Sequence, residues 1–119
     1  MNLLDTDIIV GLLRKRKYET GAISTITLIE VLRALKAEKI DEIKKLIEES
    51  FNVLTIDNKA IKTYCNLYQN LKDKGALIPD ADLLIAATAI SHNIPLKTKD
   101  KHFERLKKLG LKLAQAPQK

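Results

Sequence analysis

Tryptophan is absent from the 119 residues, aromatic side chains make up 4% of them, and there is a single cysteine. Cys65 alone excludes an intramolecular disulfide framework. With no basic and apolar leader ahead of Asp5, it points to a reducing, cytoplasmic setting and not to export. So few aromatics offer little stacking surface to flat ligands. Four glycines and three prolines are too few for a disordered or collagen-like chain. The longest apolar run, Leu83 to Ala87, falls far short of the roughly 20 residues that span a bilayer, so no membrane association is expected. A glycine-rich phosphate loop, paired Cys or His at zinc spacing and a nucleophile elbow are also missing.

What remains is an ordinary core-forming composition, 45% apolar and 30% charged. The length suits one domain, read as residues 1–113, with 114–119 as a loose tail. Twenty-one Lys and Arg against fifteen Asp and Glu give a net charge of +6. The basic residues bunch in Arg14-Lys15-Arg16-Lys17 and again in Lys97, Lys99, Lys101, Arg105, Lys107 and Lys108. A polyanion is the natural partner of such a surface, although 17 of the 21 are lysines, which also serve solubility.

Short apolar runs at Asn2–Leu4, Ala22–Ser24, Val53–Ile56, Leu96–Thr98 and Leu111–Leu113 read as strands. The spacing between them predicts a helix over Ile8–Leu13 and a second from Ile26 through Leu35, capped by Ser24 or Thr25. A surface helix carries Ile40, Ile43, Leu46 and Ile47. A longer one places Ile61, Tyr64, Cys65, Tyr68 and Leu71 at helical spacing and stops at Gly75, so Cys65 reads as core. Another runs from Ala81 to about Ser91 with Asp80 as its N-cap, and the last holds Phe103, Leu106 and Leu109. His92 and His102 read as a helix-end residue and a surface residue. The alternation of strands and helices is that of a parallel sheet covered on both faces, the α/β class. Ligands bind such sheets outside the carboxyl ends of the strands, where strand order reverses, so acids that end strands are the place to look.

Asp5, Glu30, Asp82 and Asp100 occupy positions that capping and solubility explain only in part. Glu30 is the one charge between Thr25 and Arg33 in a helix apolar nearly all round, and a carboxylate near a core needs a partner or a metal. Asp82 falls in the first turn of its helix, one turn position beyond the better-placed cap Asp80. Asp100 and Asp57 look alike as strand ends turning into helix caps, and either Asp5 or Asp7 caps the first helix while the other points into the crevice. Several carboxylates at one sheet edge suit Mg²⁺ or Mn²⁺, which prefer oxygen ligands and promote in-line displacement at phosphorus. A basic surround would then hold a phosphate backbone against the negative pocket.

Met1-Asn2-Leu3-Leu4-Asp5-Thr6-Asp7-Ile8-Ile9 resembles the opening of PIN-domain nucleases, and Ser24 to Leu32, with Glu30, resembles their second motif. Pro79 to Ala89, with Asp82, resembles the third, and Leu96-Lys97-Thr98-Lys99-Asp100 with Phe103 the fourth. Order, spacing and length are similar to the small VapC-type toxins of toxin–antitoxin pairs. This resemblance implies a three-layer α/β/α sandwich and a Mg²⁺- or Mn²⁺-dependent endoribonuclease with Asp5, Glu30, Asp82 and Asp100 as its metal-binding acids, leaving Asp57 out. It also implies an RNA substrate, a homodimer and a VapB-like antitoxin that covers the site. Asp5 and Asp100 are expected as direct ligands, Asp82 as ligand or partner of one, and Glu30 as orienting water or metal; Arg14, Arg16 and Lys99 are candidates for phosphate contacts. Asp7 stands where relatives often carry Asn, and it or Asp80 would be an additional carboxylate at the pocket. Two other readings compete: a signalling receiver domain phosphorylated at Asp57, and a PIN-like module that binds RNA or a partner without cutting.

Overall fold

A computed structural model describes residues 1–114, so the expected tail lies outside the described residues except for Ala114. Strands β1 (Leu3–Leu4), β2 (Ala22–Ser24), β3 (Asn52–Leu54) and β4 (Leu96–Lys97) form one sheet in the order β3-β2-β1-β4, every pairing parallel. Helices α1 (Thr6–Lys15), α2 (Thr25–Arg33), α3 (Ala37–Ser50), α4 (Asn58–Asp73) and α5 (Asp80–Ser91) connect them, and a 3-10 helix (Lys101–Leu109) follows β4.

Alternation along the strands creates the layers, because successive side chains leave opposite faces of a sheet. Leu3 and Ala22 enter one core with Leu67, Leu71, Leu83, Ile85 and Phe103 from α4, α5 and the 3-10 helix. Leu4 and Ile23 enter the other with Ile9, Leu28, Val31 and Ile47 from α1, α2 and α3. The α/β/α sandwich expected from the sequence is therefore present. No helix among the described residues is long and apolar enough to cross a membrane.

Three local expectations are corrected. Cys65 is exposed, because Ala60, Leu67 and Leu71 set the buried line of α4 and leave Cys65 and Ile61 one position round the helix, facing outward. The segment Leu111–Leu113 contributes one parallel bridge, Leu113 to Leu96, instead of a strand; β4 is only two residues long and offers no second partner for a ladder. The N-cap of α5 is Pro79, not Asp80, whose carboxylate instead accepts a 2.7 Å hydrogen bond from the Tyr64 hydroxyl and ties α4 to α5. That bond pushes the Tyr64 hydroxyl up to about 12.

The chain leaves β1 towards β2 and β3, then crosses back to place β4 on the other side of β1. Strand order thus reverses between β1 and β4, and the crevice lies beyond Leu4 and Lys97. At the amino end of β2, Gly21 lets β1 and β2 pack closely: a Cβ there would sit 2.9 Å from Leu4 Cγ and 3.0 Å from the Asn2 carbonyl oxygen. Gly21→Ala is expected to cost about 1–3 kcal/mol by overpacking β1 against β2, read as a lower urea midpoint at unchanged slope.

Candidate metal centre

The end of β1 hands Asp5 directly to α1. Its Oδ1 accepts from the Thr6 backbone N–H at 2.8 Å, making Asp5 the N-cap, and its Oδ2 accepts from the Thr98 hydroxyl at 2.6 Å. Thr98 follows β4 and accepts in turn from the Asp100 backbone N–H at 3.0 Å, so one hydroxyl spans the switch point and fixes Asp5 relative to Asp100. Asp100 caps the 3-10 helix by accepting from the His102 N–H at 3.1 Å.

Asp7 lies in the first turn of α1, and its Oδ2 accepts from the Lys99 N–H at 3.1 Å. Its Oδ1 is buried with no hydrogen-bond partner among the described residues. Capping thus falls to Asp5 and the free carboxylate oxygen to Asp7, the choice that sequence left open. Glu30 is less buried than the apolar character of α2 suggested, with 20% of its side chain exposed. Its Oε1 accepts from the Thr6 hydroxyl at 2.6 Å, and Arg33 stands 3.7 Å from Oε2.

Asp82, in the first turn of α5, faces His102, whose Nε2 lies 2.8 Å from Asp82 Oδ2 and 3.1 Å from Asp100 Oδ2. His102 is therefore a member of the cluster and not a plain surface residue. Thr6, Thr98 and His102 are the residues that sequence reasoning missed as parts of this site. The two threonines carried a signal, since each is next to or near a candidate acid in a motif. His92, by contrast, is the exposed C-cap of α5.

Asp5, Asp7, Glu30, Asp82 and Asp100 line one cleft of about 440 Å³, together with Arg14 and Lys99. Asp57 is not in it; that side chain caps α4 through the Ala60 N–H at 2.9 Å. Arg16, the left-handed C-cap of α1, lines a separate apolar cavity with Tyr18 and Phe51. Asp80 is engaged with Tyr64 and is likewise not among the lining residues.

The electrostatics of the cleft ask for a cation. Burial pushes the Asp5 carboxyl up from 3.8 to about 6; the Thr98 and Thr6 hydrogen bonds oppose the rise, and the nearby Asp7 and Asp82 charges add to it. Burial likewise raises Asp82, against the hydrogen bond and charge of His102. Oxygen donors from Asp82 and Asp100 and the His102 nitrogen lie within 4.8 Å of one another. This three-donor group, oxygen-rich with one imidazole, fits a divalent ion, and Asp7, whose buried Oδ1 has no hydrogen-bond partner among the described residues, lines the same cleft.

Raising Asp5 from 3.8 to about 6 disfavours its ionised form in the fold by about 3 kcal/mol. Between those values the folded chain holds more protons than the unfolded chain. Stability from this group is therefore greatest below pH 4, falls as pH rises to 6, and stays low above it. In EDTA at pH 7.5, Asp5→Asn is expected to stabilise the protein by about 1–3 kcal/mol, a gain that vanishes near pH 4. Urea unfolding at both pH values tests this, and a loss of stability at pH 7.5 contradicts it.

Comparison with known proteins agrees with this geometry. The PIN domain family matches residues 3–109. The chain is 43% identical over 115 residues to Ribonuclease VapC1 of Methanocaldococcus jannaschii, covering 93% of this chain and 85% of that protein. Among solved structures it is similar to VapBC-1 from nontypeable Haemophilus influenzae, with a TM-score of 0.82 and 27% identity over 95% of this chain and 96% of that one. It is also similar to VapBC2 from Rickettsia felis bound to a DNA fragment from their promoter, with a TM-score of 0.80 and 28% identity over 95% and 96%. From its ordered motifs, its sheet and its matched length, the chain belongs to the PIN-domain family.

Proposed function

We propose that this protein is a Mg²⁺- or Mn²⁺-dependent endoribonuclease, the toxin of a VapB–VapC pair, acting in the cytoplasm. The observation that carries this reading is the convergence of Asp5, Asp7, Glu30, Asp82 and Asp100 on one cleft at the strand-order reversal. The relative named Ribonuclease VapC1 and the VapBC structures support it. A receiver-domain reading has no support from Asp57, which is spent as a helix cap outside the cleft.

Asp5, Asp82 and Asp100 would hold the metal, with the Asp7 oxygen and His102 nitrogen as further donors and Glu30 orienting water. A bound dication supplies a water of lowered pKa and neutralises charge at the scissile phosphate. Thr98 holds Asp5 and Asp100 in register, and Thr6 fixes Glu30 by bonding Oε1. Arg14 and Lys99, at the mouth of the cleft, bind phosphate oxygens of the RNA. The partners are an RNA strand, a VapB-like antitoxin that occludes the cleft, and a second copy of the chain.

The test is cleavage of mixed RNA oligonucleotides with Mn²⁺, Mg²⁺ or EDTA, beside the thermal shift produced by each metal. Asp82→Asn and Asp100→Asn are expected to lose at least about 100-fold in cleavage and most of the metal-induced shift, while Asp57→Asn keeps both. Binding without cutting in any metal overturns the enzymatic reading, and cutting that persists in EDTA overturns the metal.

A further inference from the structure

Gly11 sits in the middle of α1, where only proline is a poorer helix former. The fold gives no reason for it. Its φ is not left-handed, and a Cβ built there would meet only Lys99 Nζ at 3.9 Å, an ordinary contact. What the missing side chain leaves is helix backbone between two depressions, with the Lys99 ammonium the one side-chain group beside it.

One depression is the acidic cleft. The other, of about 200 Å³, is lined by Ile8, Gly11 and Leu12, by Lys15, Lys17, Lys97 and Lys99, and by one acid, Glu19. Gly11 and Lys99 are the two residues that line both. Helical spacing explains this: Asp7, Gly11 and Arg14 form one stripe of α1, and Ile8, Gly11, Leu12 and Lys15 form the next. From Asp7 to Lys15 is about 12 Å along the axis.

The second cleft carries uncommitted charge. Lys97 is spent on Glu19, its Nζ 2.7 and 2.8 Å from the two carboxylate oxygens. Among the described residues, Lys15, Lys17 and Lys99 make no ion pair. Three lysines in a partly apolar lining suit phosphates whose sugars lie against Ile8 and Leu12.

We propose that this second cleft is a phosphate-binding subsite for nucleotides flanking the scissile bond, and that Gly11 is the saddle over which the RNA backbone passes to reach the acids. The inference rests on the ribonuclease reading and extends it by giving the strand a direction along α1. RNA is favoured over an acidic peptide by the continuity of the two clefts. Peptide carboxylates running on past Gly11 would meet Asp5 and Asp7, whereas phosphates there would share with those acids any dication they hold.

Fluorescence anisotropy with a labelled single-stranded RNA oligonucleotide tests the proposal in Ca²⁺, an oxygen-preferring dication that can occupy the acids, with the strand checked intact on a gel, so its outcome is separate from that of the cleavage assay. Gly11→Ala is expected to raise the melting temperature by about 2–6 °C and yet weaken RNA binding several-fold. Gly11→Gln, whose side chain would meet the Lys99 ammonium and no backbone, is expected to weaken it more than about 10-fold while the protein remains folded. Lys15→Gln and Lys17→Gln should each reduce the slope of log affinity against log salt by about 0.7, and Lys62→Gln, exposed on α4, should leave it unchanged. Unaltered RNA affinity in Gly11→Gln overturns the saddle. Equal salt slopes for the Lys15, Lys17 and Lys62 variants overturn the subsite. Loss of binding to an acidic peptide with RNA binding intact reassigns the cleft to a protein partner and overturns the proposal.

Discussion

Asp5 is held by three demands that pull in different directions. It ends a strand whose two residues are wholly buried, it caps the helix that follows, and it is 5% exposed with other carboxylates beside it. The first two fix the side chain to within a hydrogen-bond length, since β1 cannot slide without exposing Leu3 or Leu4 and α1 cannot turn without losing its cap. The third makes the fixed position costly while the carboxylate is ionised and unneutralised. The rest of the centre follows from holding Asp5 still: Thr98 bridges it to Asp100, and Asp82 faces it from α5.

Helix starts explain how so much negative charge is tolerated at one edge. Parallel strands joined by helices collect helix N-termini at the carboxyl end of the sheet, and here α1, α5 and the 3-10 helix all begin around the cleft. Each α-helix start carries roughly half a positive charge, worth about 0.3–1 kcal/mol to a nearby carboxylate. That offsets part of the repulsion among five acids and leaves a deficit that Arg14 and Lys99 only partly fill. A site that stays short of positive charge in its own fold is one prepared for a dication. The global charge is +6 although the centre is acidic, and part of that base, Arg14, Lys15, Lys17, Lys97 and Lys99, lines the acidic cleft or the depression beside it.

The sequence displayed the acids and hid their partners. Asp5, Glu30, Asp82 and Asp100 stood out because a carboxylate at a strand end or in an apolar helix is conspicuous in a single segment. A parallel sheet covered on both faces was legible for the same reason, since short apolar runs and helical runs are local. His102 was not legible, because its meaning depends on Asp82, twenty residues away and on another helix. Nor was the bond from Thr98 to Asp5, which joins residues 93 positions apart. Cys65 was misplaced because an amphipathic helix read from sequence has an uncertain phase, and one position of rotation separates the line of Leu67 and Leu71 from the line of Ile61 and Cys65. Phe103, Leu106 and Leu109 did carry a finer signal: their strict spacing of three is the period of a 3-10 helix, which aligns them on one face and allows Phe103 and Leu106 to be fully buried.

Glycine use along the chain separates what the fold needs from what a ligand needs. Gly75 and Gly110 take left-handed backbone after α4 and at the end of the 3-10 helix, and Gly21 lets β1 and β2 close to contact. Each of these is explained by the protein's own atoms. Gly11 is not: it weakens a helix whose start positions the centre, and no neighbour would object to a methyl group there. A helix that gives up stability on the face between an acidic and a basic cleft does so for something outside the polypeptide. The charge on the two sides indicates what that is, since a strand of phosphates suits lysines on one side of the saddle and, on the other, carboxylates that would hold a dication.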